Sequence, residues 1–274
     1  MEKAVRQIVQ EITRSTRPIT VLTGAGISAE SGIPTFRGPE GYWTVGSEVY
    51  HPQEMATFAT FTRMPDELWA WYLYRMGVCA AADPNDGHLA LVRMEEHLGD
   101  RFTLITQNID GLHLRAGSSL DRTCQIHGNI FFMRCSADCT TDVYPVPPEV
   151  RPKKAGEPLT DTDRKMLRCP LCGARSRPHV LLFDECYNDH HYHFSRSLHA
   201  ARDSALLVVV ATAGATNLPN LVAREVFRQG GAIIDINIEP NPFSRLAEQS
   251  RQGWFIRQPS STALPELLDA MLSA

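Results

Sequence analysis

The β-branched, apolar run Ile19–Thr23 leads straight into Gly24-Ala25-Gly26. A buried strand ending in closely spaced glycines lets backbone N–H groups approach a diphosphate with no Cβ in the way. The third glycine of the dinucleotide fingerprint is missing, because Ala29 stands in its place, and a lone G-x-G is weak evidence for which a structural turn is the lesser alternative. The loop continues to Gly38 as G-A-G-I-S-A-E-S-G-I-P-T-F-R-G. Its Phe36 and Arg37 follow Pro34 on a stretch too glycine-rich for a stable helix. A hydride-transfer enzyme has no evident need of that tail.

Strand-length runs and helical spacings alternate along the rest of the chain. Val5, Ile8, Val9 and Ile12 predict a helix over residues 2–14. Pro65 and Asp66 mark a helix start in the aromatic-rich segment 42–76. A turn at 83–87 precedes a predicted helix over 88–98 and a buried strand over 102–106. Further strands are predicted at 180–183, 205–210 and 232–238, with a helix over 218–229 between the last two. This order specifies an α/β fold around a mostly parallel sheet, with ligand loops at the strands' carboxyl ends.

Residues 132–178 break the pattern with four cysteines, Pro145, Pro147, Pro148, Pro152 and many charges, and read as a small inserted module. Cys135 and Cys139, then Cys169 and Cys172, supply the four thiolates of a closed, structural zinc site. Cys79, Cys124 and Cys186 read as ordinary buried or partly buried cysteines. Seven cysteines, an odd number, fit a reducing compartment better than a disulfide framework, and the cytoplasm is the expected location. A net charge of −4 argues against nucleic-acid binding. No apolar run approaches the ~20 residues of a membrane span, and the polar start M-E-K-A-V-R-Q does not read as a secretory signal.

Polar residues cluster where the predicted strands end. Gln107, Asn108 and Asp110 in T-Q-N-I-D-G-L-H suit a ribose or a carboxamide, or else a polar turn with a helix cap. His127 titrates near neutrality and can take a proton from a sugar hydroxyl, although a lone histidine also serves structural roles. Asn237 and Glu239 can bond the hydroxyls of a second ribose. The glycine loop, T-Q-N-I-D-G-L-H, H-G, the paired cysteines, R-P-H-V at 177–180 and N-x-E at 237–239 follow one another in the order found in sirtuins. From about Ile19 to Leu268 the chain resembles that family of NAD-dependent protein-lysine deacylases.

The resemblance implies a Rossmann-like domain over 1–44, 89–131 and 179–274, a helical segment with the acyl pocket over 45–88, and the zinc module over 132–178. NAD and acyl-lysine are expected to meet in the cleft between domains and NAD to be consumed. The acyl oxygen attacks C1′ of the nicotinamide ribose, nicotinamide leaves and an alkylimidate forms. His127 matches the general base, Asn108 and Asp110 the residues that position ribose and carboxamide, and Gln107 one near the ribose hydroxyls. Gly24, Ala25, Gly26, Phe36, Arg37 and Thr212 match cofactor-loop positions, while Asn237, Glu239 and Ser260 match the adenosine side. Val180 and Phe183 lie on the segment that pairs with substrate backbone.

Tyr72 and Arg75 form Y-x-x-R, and residues three apart share a helix face. A guanidinium beside a phenol can grip a carboxylate, and in desuccinylase-like sirtuins this pair binds succinyl-, malonyl- or glutaryl-lysine. In another arrangement Tyr72 packs in a core and Arg75 reaches solvent. Thr35 and Gly41-Tyr42-Trp43 point to the acidic-acyl subgroup.

Three segments depart from the family pattern. Ala211-Thr212-Ala213 replaces Gly-Thr-Ser, which is expected to weaken NAD binding. Phe183-Asp184-Glu185 replaces Phe-Gly-Glu, where the extra carboxylate favours basic peptides or crowds the site. Gln258-Pro259-Ser260-Ser261 replaces Gly-Pro-x-Gly. NAD glycohydrolysis, ADP-ribosyl transfer and NAD sensing without turnover are the competing readings.

Overall fold

The computed structural model describes residues 2–35 and 43–274. Six parallel strands form the main sheet in the spatial order Gly253–Ile256, Ala232–Ile236, Leu206–Val210, Ile19–Thr23, Phe102–Thr106, Thr123–Gln125. Successive side chains on a strand point to opposite faces, and both faces of this sheet are covered. Ile19, Val21, Leu104, Val208, Val210, Ile234 and Ile236 pack with the helices Lys3–Arg14, Asp86–Leu98 and Ser260–Leu272. Their alternates Leu22, Ile105, Leu207, Val209 and Ile233 pack on the other side, towards Asn217–Arg228 and Pro242–Gln249.

The chain builds outward from Ile19–Thr23 in both directions, so the strand order reverses between Ile19–Thr23 and Leu206–Val210. At such a switch point the loops leaving the two strands diverge and open a crevice at their carboxyl ends. The Gly24 and Ala211 loops both start there.

A second core joins the helix Pro65–Ala81 to an antiparallel sheet of Val143–Pro145, Gly128–Cys135 and Ser176–Val180. Trp69 ties the two together, donating its indole N–H to the Ser176 carbonyl at 2.9 Å. No helix among the described residues is long and apolar enough to cross a membrane.

Three boundaries differ from expectation by two residues or more. The strand expected at 180–183 is Ser176–Val180 and pairs within the small sheet. Its end is fixed by Glu185, whose carboxylate accepts from the Leu182 N–H and from Arg177, turning the chain. The strand expected over 232–238 stops at Ile236, because the Asn237 amide reaches across to the Thr212 carbonyl at 3.0 Å. The helix expected from His88 begins at Asp86, capped by Asn85, which accepts from the Gly87 N–H. Outside these, the short strands Thr123–Gln125 and Gly253–Ile256 carry too little periodicity to be read from sequence.

Candidate active site

After Ile19–Thr23 the chain makes a 3-10 turn, Ala25–Ser31, closed by Gly32 at φ +84°. The Gly24 N–H donates to the Val210 carbonyl at 2.9 Å and the Gly26 N–H to the Ala211 carbonyl at 3.0 Å, so the two switch-point loops are zipped together. A Cβ on Gly24 would lie 2.4 Å from Thr212 Cβ and 2.7 Å from its Cα. A Cβ on Gly26 would lie 2.9 Å from Ala211 Cβ. Both glycines are therefore required by loop-to-loop contact in the protein itself. Ala211 holds φ +51°, a left-handed conformation that costs a non-glycine residue about 1 kcal/mol.

Beneath this turn lies a buried polar network. Ser28 donates to Asp110 Oδ2 at 2.7 Å and accepts from the Asn108 amide at 3.1 Å. The second Asp110 oxygen accepts from the Leu112 N–H at 2.9 Å. Burial pushes the Asp110 carboxyl up, while the Leu112 and Ser28 hydrogen bonds and the charges of Arg115 and Arg75 oppose the shift. His88 Nδ1 accepts from the Asn85 N–H, so its Nε2–H faces Ser28 Oγ at 3.4 Å. Thr23 donates to Thr106 and receives the Nε2–H of His113 at 3.0 Å. Burial drives His88 down to about 4 and His113 well below its ordinary value. Both rings are neutral scaffolding.

Gln107 spans the crevice. Its amide donates to Thr212 Oγ1 at 2.9 Å and to the Thr23 carbonyl at 3.2 Å, and its own carbonyl accepts the Nδ1–H of His127 at 2.9 Å. Burial pushes His127 down to about 4, opposed by the Gln107 hydrogen bond. Its Nε2 is thus an acceptor at neutral pH. On the far side Asn237 is half-buried and Glu239 exposed. Ser260 is buried at the start of the last helix, 3.4 Å from the Glu30 carboxylate, which Ser261 also engages. Phe36, Arg37, Gly41 and Tyr42 lie outside the described residues.

On the helix Pro65–Ala81, Tyr72 is buried and Arg75 lies over the Trp71 ring at 5.3 Å. Burial pushes the Tyr72 phenol well up, with the Arg75 charge opposing it. Val180 is buried, whereas Phe183 is 53% exposed and its N–H donates to the Ala56 carbonyl at 2.9 Å. Asp184, expected to favour basic peptides or to crowd the site, is exposed, and its carboxylate has partners within the chain. Its two oxygens accept from the N–H groups of Phe58 and Ala59, at 2.6 and 3.1 Å, and are spent capping the helix Phe58–Arg63.

The Sγ atoms of Cys135, Cys139, Cys169 and Cys172 lie within 4.8 Å of one another, with two cross-pair separations of 3.6 Å. Four thiolates about 2.3 Å from a tetrahedral zinc stand about 3.8 Å apart, so the set fits the ion. All four are free thiols, and their closed arrangement suits a structural metal.

Ser28 and His113 sit inside motifs that the sequence displays, but spacing alone does not distinguish a network member from a turn residue. His88 needed the Asn85 cap to be seen, and Tyr187, whose phenol contacts His127, belongs to no recognisable motif.

The sequence matches the Sir2 family over residues 24–217. A protein named NAD-dependent protein deacylase from Aquifex aeolicus is 38% identical over 258 residues, covering 92% of this chain and 94% of the relative. One of the same name from Leptospira interrogans is 35% identical over 261 residues, covering 93% of each. Among solved structures, a Sir2 homologue in complex with NAD superposes with a TM-score of 0.80 at 31% identity, covering 97% of this chain and 93% of that one. With sequence and fold agreeing over nearly its whole length, this chain belongs to the Sir2 family.

Proposed function

We propose that this protein is an NAD-dependent protein-lysine deacylase that consumes NAD as co-substrate. The observation carrying the reading is that Gln107 joins Thr23, the residue before the glycine loop, to Thr212 and His127 across one switch-point crevice. The named activity of its relatives supports the same conclusion. Gly24, Ala25, Gly26 and Thr212 border the diphosphate, together with Phe36 and Arg37 by their place in the motif. Asn108, Asp110 and Gln107 orient the ribose and the carboxamide. Asn237, Glu239 and Ser260 serve the adenosine side.

His127 acts as the base. Its Nδ1–H is anchored on a carbonyl, which fixes the ring and leaves Nε2 as the nitrogen that can accept a proton from a ribose hydroxyl. The four cysteines hold zinc for structure alone, leaving the chemistry to NAD. We divide the chain into a cofactor domain (1–44, 89–131, 179–274), a helical segment (45–88) and a zinc module (132–178). Free thiols throughout fit a reducing cytoplasm.

Acyl-lysine enters beside Val180 and Phe183, and the acyl group extends towards Tyr72 and Arg75. The pair favours succinyl, malonyl or glutaryl over acetyl. Support comes from Arg75, which stands one turn from Tyr72 on the same helix, over the Trp71 ring, and whose charge opposes the upward shifts of both Tyr72 and Asp110. Incubation with NAD and a succinylated peptide, read by mass spectrometry, tests this. O-succinyl-ADP-ribose is the expected product, with His127→Ala as the blank. ADP-ribose without peptide turnover would mean glycohydrolysis, a modified protein ADP-ribosyl transfer, and intact but bound NAD a sensor.

A further inference from the structure

Both ring nitrogens of His127 are engaged. The Gln107 carbonyl can only accept, so Nδ1 carries the proton and Nε2 the lone pair. The Tyr187 hydroxyl lies 2.8 Å from Nε2 and therefore donates to it. The two rings stack at 29° with centroids 5.8 Å apart, and Phe194 borders the phenol at 6.5 Å. Thr216 donates to Gln107 Oε1 at 3.1 Å and also lies beside the phenol. The Gln107 backbone carbonyl, His127 and Tyr187 are thus joined in series, and Thr216 beside the phenol is tied back to the Gln107 side-chain amide. The lone pair that deacylation needs is already taken.

Resting on the deacylase reading, we propose that Tyr187 is a positioning residue for His127: it holds the imidazole in the Nδ1–H tautomer and caps Nε2 until a ribose hydroxyl displaces it. The ribose hydroxyl proton then passes to Nε2, and the phenol keeps its own proton and turns towards Thr216. Burial pushes the Tyr187 phenol up to about 12, opposed by Thr216, so it remains a donor throughout the neutral range. The groups that act on His127 are its burial and the Gln107 carbonyl. Tyr187 is the side chain whose hydroxyl covers Nε2.

Tyr187→Phe keeps the ring and removes the hydroxyl. Diethyl pyrocarbonate acylates an uncapped imidazole lone pair, and peptide mapping reads the rate at His127 in the enzyme without NAD. One neutral hydrogen bond predicts a rise of ~2–10-fold in that rate. Tyr187→Leu, which removes the ring as well, is expected to show at least the same rise. Wild-type rates in both variants would overturn the proposal. A hydrogen bond donated to Nε2 stabilises the neutral ring, so its loss raises the His127 pKa. The acid limb of kcat/KM in Tyr187→Phe should accordingly move to higher pH, and an unmoved limb or a shift to lower pH contradicts the capping role. If the wild-type protein turns over no acyl-lysine, the deacylase reading falls, while the acylation rates still decide whether Tyr187 caps His127.

Discussion

Replacing Gly24 by Ala tests whether the switch-point loops really determine the site. The added Cβ meets Thr212 Cβ at 2.4 Å, Cα at 2.7 Å and Oγ1 at 2.8 Å, and one of these atoms is backbone. Ordinary carbon contacts begin near 3.5 Å, so the 211–213 loop must retreat by about 1 Å. Forced repacking of this kind costs about 1–3 kcal/mol of folding stability. The displacement also travels, because Thr212 holds the Gln107 amide and the Gln107 carbonyl holds His127. A misplacement of that size near reacting groups costs about 10²-fold in kcat/KM. Urea denaturation and steady-state deacylation measure the two losses. Gly26→Ala meets chiefly Ala211, its Cβ and its carbonyl oxygen both at 2.9 Å, so Ala211→Gly should restore part of its loss and none of the Gly24→Ala loss. Wild-type stability and activity in Gly24→Ala would refute the close-approach argument.

Arg75→Met should lower kcat/KM for succinyl-lysine by about 10–100-fold, the worth of a charge-assisted contact, and change acetyl-lysine turnover by less than about threefold. Equal losses would show that Arg75 only supports the pocket helix. Zinc removal by a strong chelator should expose the backbone amides of Gly128–Cys135 and Ser176–Val180 to hydrogen exchange, since their ends are joined by the four thiols. Unchanged protection would count against the metal site. His88 has a folded pKa near 4, below the unfolded value of 6.5, so the unfolded chain binds the extra proton and stability rises with pH between those values. Between pH 7 and pH 5 it should contribute about 2 kcal/mol of lost stability, and His88→Gln should flatten the urea-midpoint profile in that window by that amount.

The parts of this molecule legible in its sequence are those with local causes. The strands Ile19–Thr23, Phe102–Thr106 and Leu206–Val210 are short apolar runs buried on both faces, and nothing in them competes with that reading. The two cysteine pairs carry their chemistry in their spacing. What the sequence conceals depends on partners remote in the chain. Asp184 reads as a stray carboxylate until the N–H groups of Phe58 and Ala59 are seen to lie beneath it, more than a hundred residues away. The end of the 176–180 strand is set by Arg177 and Glu185 pairing after the turn, which no periodicity encodes. Tyr187 is similar, since its meaning comes entirely from the imidazole it faces. The absent third glycine belongs to the same class. In a helix-forming dinucleotide loop that glycine permits close packing of helix on strand. Here the chain enters a 3-10 turn instead, and the position is Ala29, one residue beyond the Ser28 that binds Asp110 and Asn108. The tight approach has moved to the neighbouring loop, where Gly24 and Gly26 meet Thr212 and Ala211. The fingerprint is degenerate because the glycines answer to a different neighbour: they let two loops close on each other, and Gln107 carries that closure to His127.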